Sequence, residues 1–170
     1  VRREEHTENA IKLSDLDESL RDIWVECCGH LSAFTIHGVE YHSSTEFGMD
    51  PFYDDVKSMN TKIKNLFIPG LSFTYEYDFG TTTKLRLKVS DTIMWKKESN
   101  TIVMTAMNKK PDFLCSECGK PAVYHYNECD EILLCEECSE NEDVDECYLL
   151  PICNSPRTGL CGYEGGKYDE

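Results

Sequence analysis

Two C-x2-C pairs, Cys115/Cys118 and Cys135/Cys138, stand sixteen residues apart in the stretch FLCSECGKPAVYHYNECDEILLCEEC. This is the spacing of a structural zinc site. Zinc takes four thiolate or imidazole ligands in a tetrahedron, and two cysteines separated by two residues form a tight knuckle that aims both sulfurs at one point. Gly119 and Lys120 follow the first knuckle, where the backbone must turn. Buried or disulfide-bonded thiols are the ordinary alternative, but neighbouring C-x2-C pairs make poor disulfide partners in a chain without a secretory signal. Four cysteines also close the coordination sphere, whereas catalytic zinc keeps an open position and a nearby base. Glu128, Glu131, Glu136 and Glu137 are close in sequence, yet carboxylates are everywhere in this segment. The expectation is one structural Zn2+.

A chain of 170 residues can hold one ordinary core plus a small metal-bound module. The formal net charge is −15, unevenly spread: residues 1–110 carry 14 basic and 17 acidic side chains, residues 111–170 carry 3 and 15. Affinity for a phosphate backbone comes from Lys and Arg displacing counterions, so nucleic acid is disfavoured as a partner of the C-terminal part. No signal-peptide pattern is present, and no run approaches the ~18 apolar residues of a membrane helix. Ten cysteines with a bound metal then fit a reduced, cytoplasmic setting. The chain begins with Val1, which reads as a sign that part of the natural N-terminus is missing.

The first expected element is a helix from Ser14, with Ser14 as cap and Asp15 and Asp17 in the first turn near the positive end of the dipole. Leu16, Leu20, Ile23, Trp24 and Cys27 recur at helical spacing, and Gly29 ends the run. Leu31 to Ile36 and Val39 to Tyr41 read as strands joined at His37-Gly38. Residues 42–60 read as a long loop, and Thr61 to Leu66 as a short helix before Pro69-Gly70. In LSFTYEYDF, residues 71, 73, 75, 77 and 79 are apolar or aromatic and the intervening ones polar, strict alternation that marks a half-buried strand. LRLKV alternates likewise at Leu85, Leu87 and Val89. Further strands are expected near Thr92 to Trp95 and from Thr101 to Met107. The order predicts an α+β fold: an N-terminal helix and an antiparallel meander in residues 1–110, then a zinc-binding module in residues 111–170. Lys109-Lys110-Pro111 is the hinge.

The passages CCGHLSAFTIHGVEY, FTYEYDFGTTTKLRLKV and AMNKKPDFLCSECGKPA, with the closing LLPICNSPRTGLCGYEGG, resemble a family named after the third open reading frame of a root-inducing plasmid. Its members are often described as insertion-element passenger or resolvase-like proteins. The resemblance covers most of the chain, from about Leu13 to Gly166, and implies an α+β fold whose curved antiparallel sheet carries N-terminal helices. In zinc-bearing members, further ligand pairs lie between and after the two C-x2-C pairs, as in a cross-braced two-zinc module. Here Tyr126, next to His125, holds the first of those places, then come Cys129 and later Asp145 and Cys147. By resemblance either His125, Cys129, Asp145 and Cys147 bind a second, weaker zinc or the second site is lost, since structural zinc prefers sulfur and nitrogen to carboxylate.

Other motifs reduce to ordinary roles. Cys27-Cys28-Gly29-His30 invites a cysteine-nucleophile reading, but a nucleophile needs its base within reach and a third group to orient it. Core packing and a helix end are the better reading. Asp78-Phe79-Gly80 matches the kinase metal-binding triplet without the glycine-rich loop, strand lysine or catalytic loop a kinase requires. Asp78 is read as a solvated or turn-capping carboxylate. Asn154-Ser155-Pro156-Arg157 is a turn signal, not a recombinase serine. Cys161 has the reach to touch a metal, and Cys153 and Cys161 read equally well as plain buried thiols. Glu136 to Glu146 holds seven carboxylates in eleven residues, a solvated face or a dock for a basic partner. Lys84, Arg86, Lys88, Lys96 and Lys97 form the opposite patch, without interleaved aromatics to stack on bases. The expected protein is non-enzymatic and zinc-stabilised, a module for binding another protein. A nucleic-acid-associated accessory of a mobile element is the alternative, and a hydrolase or transferase working beside Tyr75, Tyr77 and Asp78 the least favoured.

Overall fold

The computed structural model describes residues 10–44, 56–93, 102–127, 132–141 and 143–169. They form an α+β fold that divides into two compact units, neither of them contiguous in sequence. One unit comprises Val1–Ser19, Leu31–Glu76 and Lys84–Met104, the other Leu20–His30, Tyr77–Thr83 and Thr105–Glu170. The C-terminal module thus includes two short pieces of the preceding sequence, where the linear reading divides the chain once, at residue 110.

Helix α1 spans Leu13–Leu20. Ser14 lies inside it, and the Asp15 carboxylate accepts a 2.7 Å bond from the N–H of Lys12. The N–H groups of Leu13 and Ser14, which a helix start leaves without intrahelical acceptors, donate to the carbonyls of Thr61 and Met59 at 3.0 Å each. A serine cap is therefore not needed. Asp17 is buried, taking 2.6 Å and 2.7 Å bonds from Ser32 Oγ and Tyr75 Oη, so its role is core polarity and not the helix dipole. The helix gives way to a π turn over Arg21–Val25, short of the expected end at Gly29.

Strands β1 (Ser32–Ile36) and β2 (Val39–His42) form the expected hairpin, with Ile36 opposite Val39. His37 (φ 53°) and Gly38 (φ 76°) both take left-handed backbone, as a two-residue turn matching strand twist requires. Strand β3 (Lys57–Ser58) runs parallel to β2, Tyr41 beside Lys57, in a stretch read as loop because two residues are too few for any period to show. Thr61 to Leu66 contains only a 3-10 turn at Ile63–Asn65. Strands β4 (Ser72–Tyr77) and β5 (Thr83–Lys88) complete a five-stranded sheet of order β3-β2-β1-β4-β5. The alternation in β4 stands, with Phe73, Tyr75 and Tyr77 buried. Phe34 packs 4.8 Å from Tyr75 and 6.1 Å from Phe73 between ring centres, the aromatic centre of the first unit. The meander does not continue: Thr92, Ile93 and residues 102–107 form no strand, and residues 94–101 lie outside the described residues.

In the second unit, β6 (Tyr124–Tyr126) is flanked antiparallel by β7 (Ile132–Leu134) and β8 (Leu149–Pro151). Helix α2 is one turn, Glu136–Ser139. Cys115, Ala122, Tyr126, Leu134, Cys135 and Ile152 make a small core. No helix among the described residues is long and apolar enough to cross a membrane.

Candidate metal centres

The Cys115 knuckle is built by its backbone. The Gly119 N–H donates to the Cys115 carbonyl at 2.9 Å, and Gly119 takes φ 72°, which a side-chain-bearing residue resists. Ser116 ties the knuckle to β7 twice, its N–H donating to the Leu133 carbonyl at 2.8 Å and its Oγ accepting from the Leu133 N–H at 3.1 Å. At the other end of β7, Cys135 precedes α2 and accepts at its carbonyl from the Ser139 N–H at 3.0 Å, placing Cys138 one turn on. The four sulfurs lie within 4.8 Å of one another and can hold a metal ion. Cys118 and Cys135 stand 3.6 Å apart, and two thiolates about 2.3 Å from a tetrahedral centre are ~3.8 Å apart. Burial opposes ionisation of Cys115, but backbone N–H groups around it outweigh that and bring the thiol down to about 6. Cys138 is pushed up to about 12 by the sulfurs of Cys118 and Cys135 and by burial. Four thiols at one point cannot all be anionic without a cation, and a dication supplies what this set lacks.

A second cluster forms where the residues themselves suggested core and helix end. Cys27, Cys28, His30 and Cys161 bring their ligand atoms within 4.8 Å of one another and can likewise hold a metal ion. Cys27 Sγ is 3.5 Å from Cys28 Sγ, which is 3.8 Å from Cys161 Sγ. His30 Nε2 is 2.9 Å from Cys28 Sγ and 3.3 Å from Cys161 Sγ. Cys28 and Cys161 are exposed, so the reading of Cys161 as a buried thiol does not hold, and Cys27 is only half-buried. The π turn ends at Glu26, whose carboxylate accepts from the Gly29 N–H at 2.5 Å and from Arg21 at 2.7 Å, holding the Cys27–His30 loop in its curl. Arg21 also donates to the His30 carbonyl at 2.7 Å. Cys28, Cys161 and Asp78 (3.5 Å) all face the same imidazole nitrogen, Nε2.

Asp78 itself is buried, at φ 63°, and caps the turn by accepting from the Gly80 N–H at 2.9 Å. Its other oxygen accepts 2.7 Å from Arg157, a guanidinium with no exposed surface that also reaches the Thr81 carbonyl and Thr83 Oγ1. The turn-capping part of the sequence reading stands and the solvated part does not, because the partner lies 79 residues away. Burial would raise the Asp78 carboxyl, but Arg157 and the N–H groups of Gly80 and Thr81 hold it below the ordinary carboxylate range. Arg157 starts a turn in which Ser155 Oγ accepts from its N–H, as the Asn-Ser-Pro signal suggested.

The remaining expected ligands are not gathered among the described residues. His125 Nδ1 lies 2.6 Å from Asn127 Oδ1, its ring against Gly159. Asp145 caps a 3-10 turn by accepting from the Cys147 N–H at 3.0 Å. Cys129 lies outside the described residues. What could have pointed to the second cluster is the doublet Cys27-Cys28 with His30 two residues on, matched to a cysteine in the glycine-flanked Gly159-Leu-Cys-Gly162 turn. No curated protein and no solved structure matches this chain. A model of the plasmid pRiA4b ORF-3-like proteins matches residues 1–148, which carry the tyrosine-rich strand and the four-cysteine cluster, and the chain belongs to that family.

Proposed function

We propose that this is a non-enzymatic, zinc-stabilised protein whose C-terminal module binds another protein. The observation that carries the reading is the closed four-cysteine cluster, which uses every coordination position on protein sulfur and leaves none for a substrate. Around it stand exposed Glu136, Glu137, Glu140, Asp143, Asp145 and Glu146, a surface suited to a basic partner. Tetrahedral thiolate sets suit zinc or iron; zinc is the metal proposed for this site. The test has two parts. Native mass spectrometry of the reduced protein should find zinc that Cys115→Ser releases. Affinity capture with the zinc-loaded chain should recover a basic protein that a Glu136→Gln, Glu137→Gln, Glu140→Gln, Asp143→Asn variant no longer holds. Zinc-free folded protein, or capture indifferent to those carboxylates, would sink the reading.

One observation favours a second reading. On β5, Lys84, Arg86 and Lys88 are exposed on one face, as a nucleic-acid accessory of a mobile element would require. Lys84 is already paired with Glu76 at 2.5 Å, which weakens it. DNA retention whose log affinity falls by about 0.9 per contacted phosphate with log salt would favour this second reading.

A further inference from the structure

We infer that Cys27, Cys28, His30 and Cys161 form a second zinc centre, a solvent-facing clasp that fastens the Leu20–His30 segment to the C-terminal tail. The centre is distinct from the four-cysteine site and from the His125, Cys129, Asp145, Cys147 set that the resemblance implies.

The ligand geometry is the first argument. Sulfur–sulfur separations of 3.5 and 3.8 Å match the ~3.8 Å edge of a thiolate tetrahedron around zinc. They are far from the ~2.05 Å of a disulfide. The imidazole completes a Cys3His donor set, one of the standard structural sets. Its convergence through a single nitrogen leaves only that lone pair to share, which is how an imidazole ligates.

The surroundings are the second argument, because ligating side chains are normally oriented by outer partners. Tyr77 Oη stands 3.9 Å from Cys27 Sγ and accepts from the His30 N–H at 3.3 Å. Three thiolates, a neutral imidazole and Zn2+ sum to one negative charge, and the buried Arg157–Asp78 pair lies beside it, with Arg157 4.9 Å from the centre of the Tyr77 ring. The Arg157 Nε is buried without a hydrogen-bond partner among the described residues.

The third argument is strain. Cys161 takes φ 49° between Gly159 at 75° and Gly162 at 66°. Left-handed backbone is unfavourable for a residue that carries a Cβ, and such strain persists where surrounding structure requires it. Aiming the Cys161 sulfur at the other three ligands is such a requirement. The tail around it is already sewn to the same segment: Ser155 Oγ donates to the Trp24 carbonyl at 2.6 Å, the Lys167 N–H donates to the Asp22 carbonyl at 2.7 Å, and Gly166 packs on the Ile23 backbone. A metal at the cluster closes a loop of more than a hundred residues between His30 and Cys161. The fourth ligand lies beyond the residues that the family model matches.

The test counts zinc on the reduced full chain by native mass spectrometry. Wild type should carry two ions, and Cys161→Ser and Cys28→Ser should each carry one. Because two of its ligands are exposed, the clasp ion should be stripped by a chelator before the buried one, with hydrogen exchange rising across residues 21–30 and 155–167 while β6 and β7 stay protected. Should Cys161→Ser misfold, stoichiometric Co2+ titration of wild type reads the same point, with two thiolate-bound cobalt ions expected. A single ion in wild type that survives Cys161→Ser overturns the inference. So do two ions that survive Cys161→Ser, and a second ion lost on Cys147→Ser instead, which would place it at the Asp145/Cys147 set.

Discussion

The two cysteine clusters of this protein are made in opposite ways. The Cys115/Cys118/Cys135/Cys138 cluster draws its ligands from one 24-residue stretch, two knuckles joined by a short hairpin, and two of its four cysteines are buried. The Cys27/Cys28/His30/Cys161 cluster takes three ligands from one loop and the fourth from a turn 131 residues away, and two of its four ligands face solvent. The first needs only local chain geometry to bring its sulfurs together. The second is no better than the contacts that bring the tail to the 21–30 segment, chief among them the Ser155–Trp24 and Lys167–Asp22 hydrogen bonds and the close approach of Gly166 to Ile23. Proximity in sequence thus makes a cluster robust, and proximity made by packing makes it conditional.

The most severe way to break the comparison is Cys115→Ser or Cys135→Ser. Zinc binding in structural modules is worth roughly 10–16 kcal/mol of apparent free energy, most of it folding energy. Either variant should lose the metal and the order of β6, β7 and β8, read as loss of amide protection there. The next largest effect separates the clusters. Asp78→Ala strands the Arg157 charge in a fully buried position, which costs about 3–5 kcal/mol, and urea unfolding should show it. The four-cysteine metal should remain, while a metal at the Cys28 cluster should be lost or weakened. Loss of both would erase the distinction. Gly166→Ala comes third: its Cβ would meet the Ile23 carbonyl, a backbone atom that cannot swing away. Overpacking of this kind costs roughly 1–3 kcal/mol, and the exchange of residues 21–25 should report it. Gly159→Ala should act similarly at left-handed backbone, its Cβ 2.5 Å from the His125 ring.

The smallest effect is a pH dependence. Because the folded Asp78 carboxyl is held below its unfolded value, it contributes stability that is full above the unfolded value, near ~3.9, and is lost as pH falls through the folded one. Acid unfolding of Asp78→Asn should lack that contribution. Wild-type and variant acid curves of equal slope would show that the pair does not govern this region.

Much of this was legible in the residues. The period-two run at β4, the turn at His37-Gly38, the C-x2-C knuckles and the Asn-Ser-Pro turn all depend on neighbours a few positions apart, and short-range geometry is what a sequence pattern records. The helix start was misread because the N–H groups of Leu13 and Ser14 find carbonyls at Thr61 and Met59, acceptors nearly fifty residues away. Asp17 and Asp78 were given surface roles because a carboxylate is ordinarily solvated, and only a distant Ser, Tyr or Arg makes its burial tolerable. What the linear chain specified here was the four-cysteine cluster and the α+β character of its elements. What packing specified was the parallel pairing of β3, the buried Arg157–Asp78 pair and the meeting of Cys161 with Cys27, Cys28 and His30. Contacts across a hundred residues leave no periodicity in the sequence, because nothing in the spacing of two segments says which surfaces will cover each other once the apolar faces are buried.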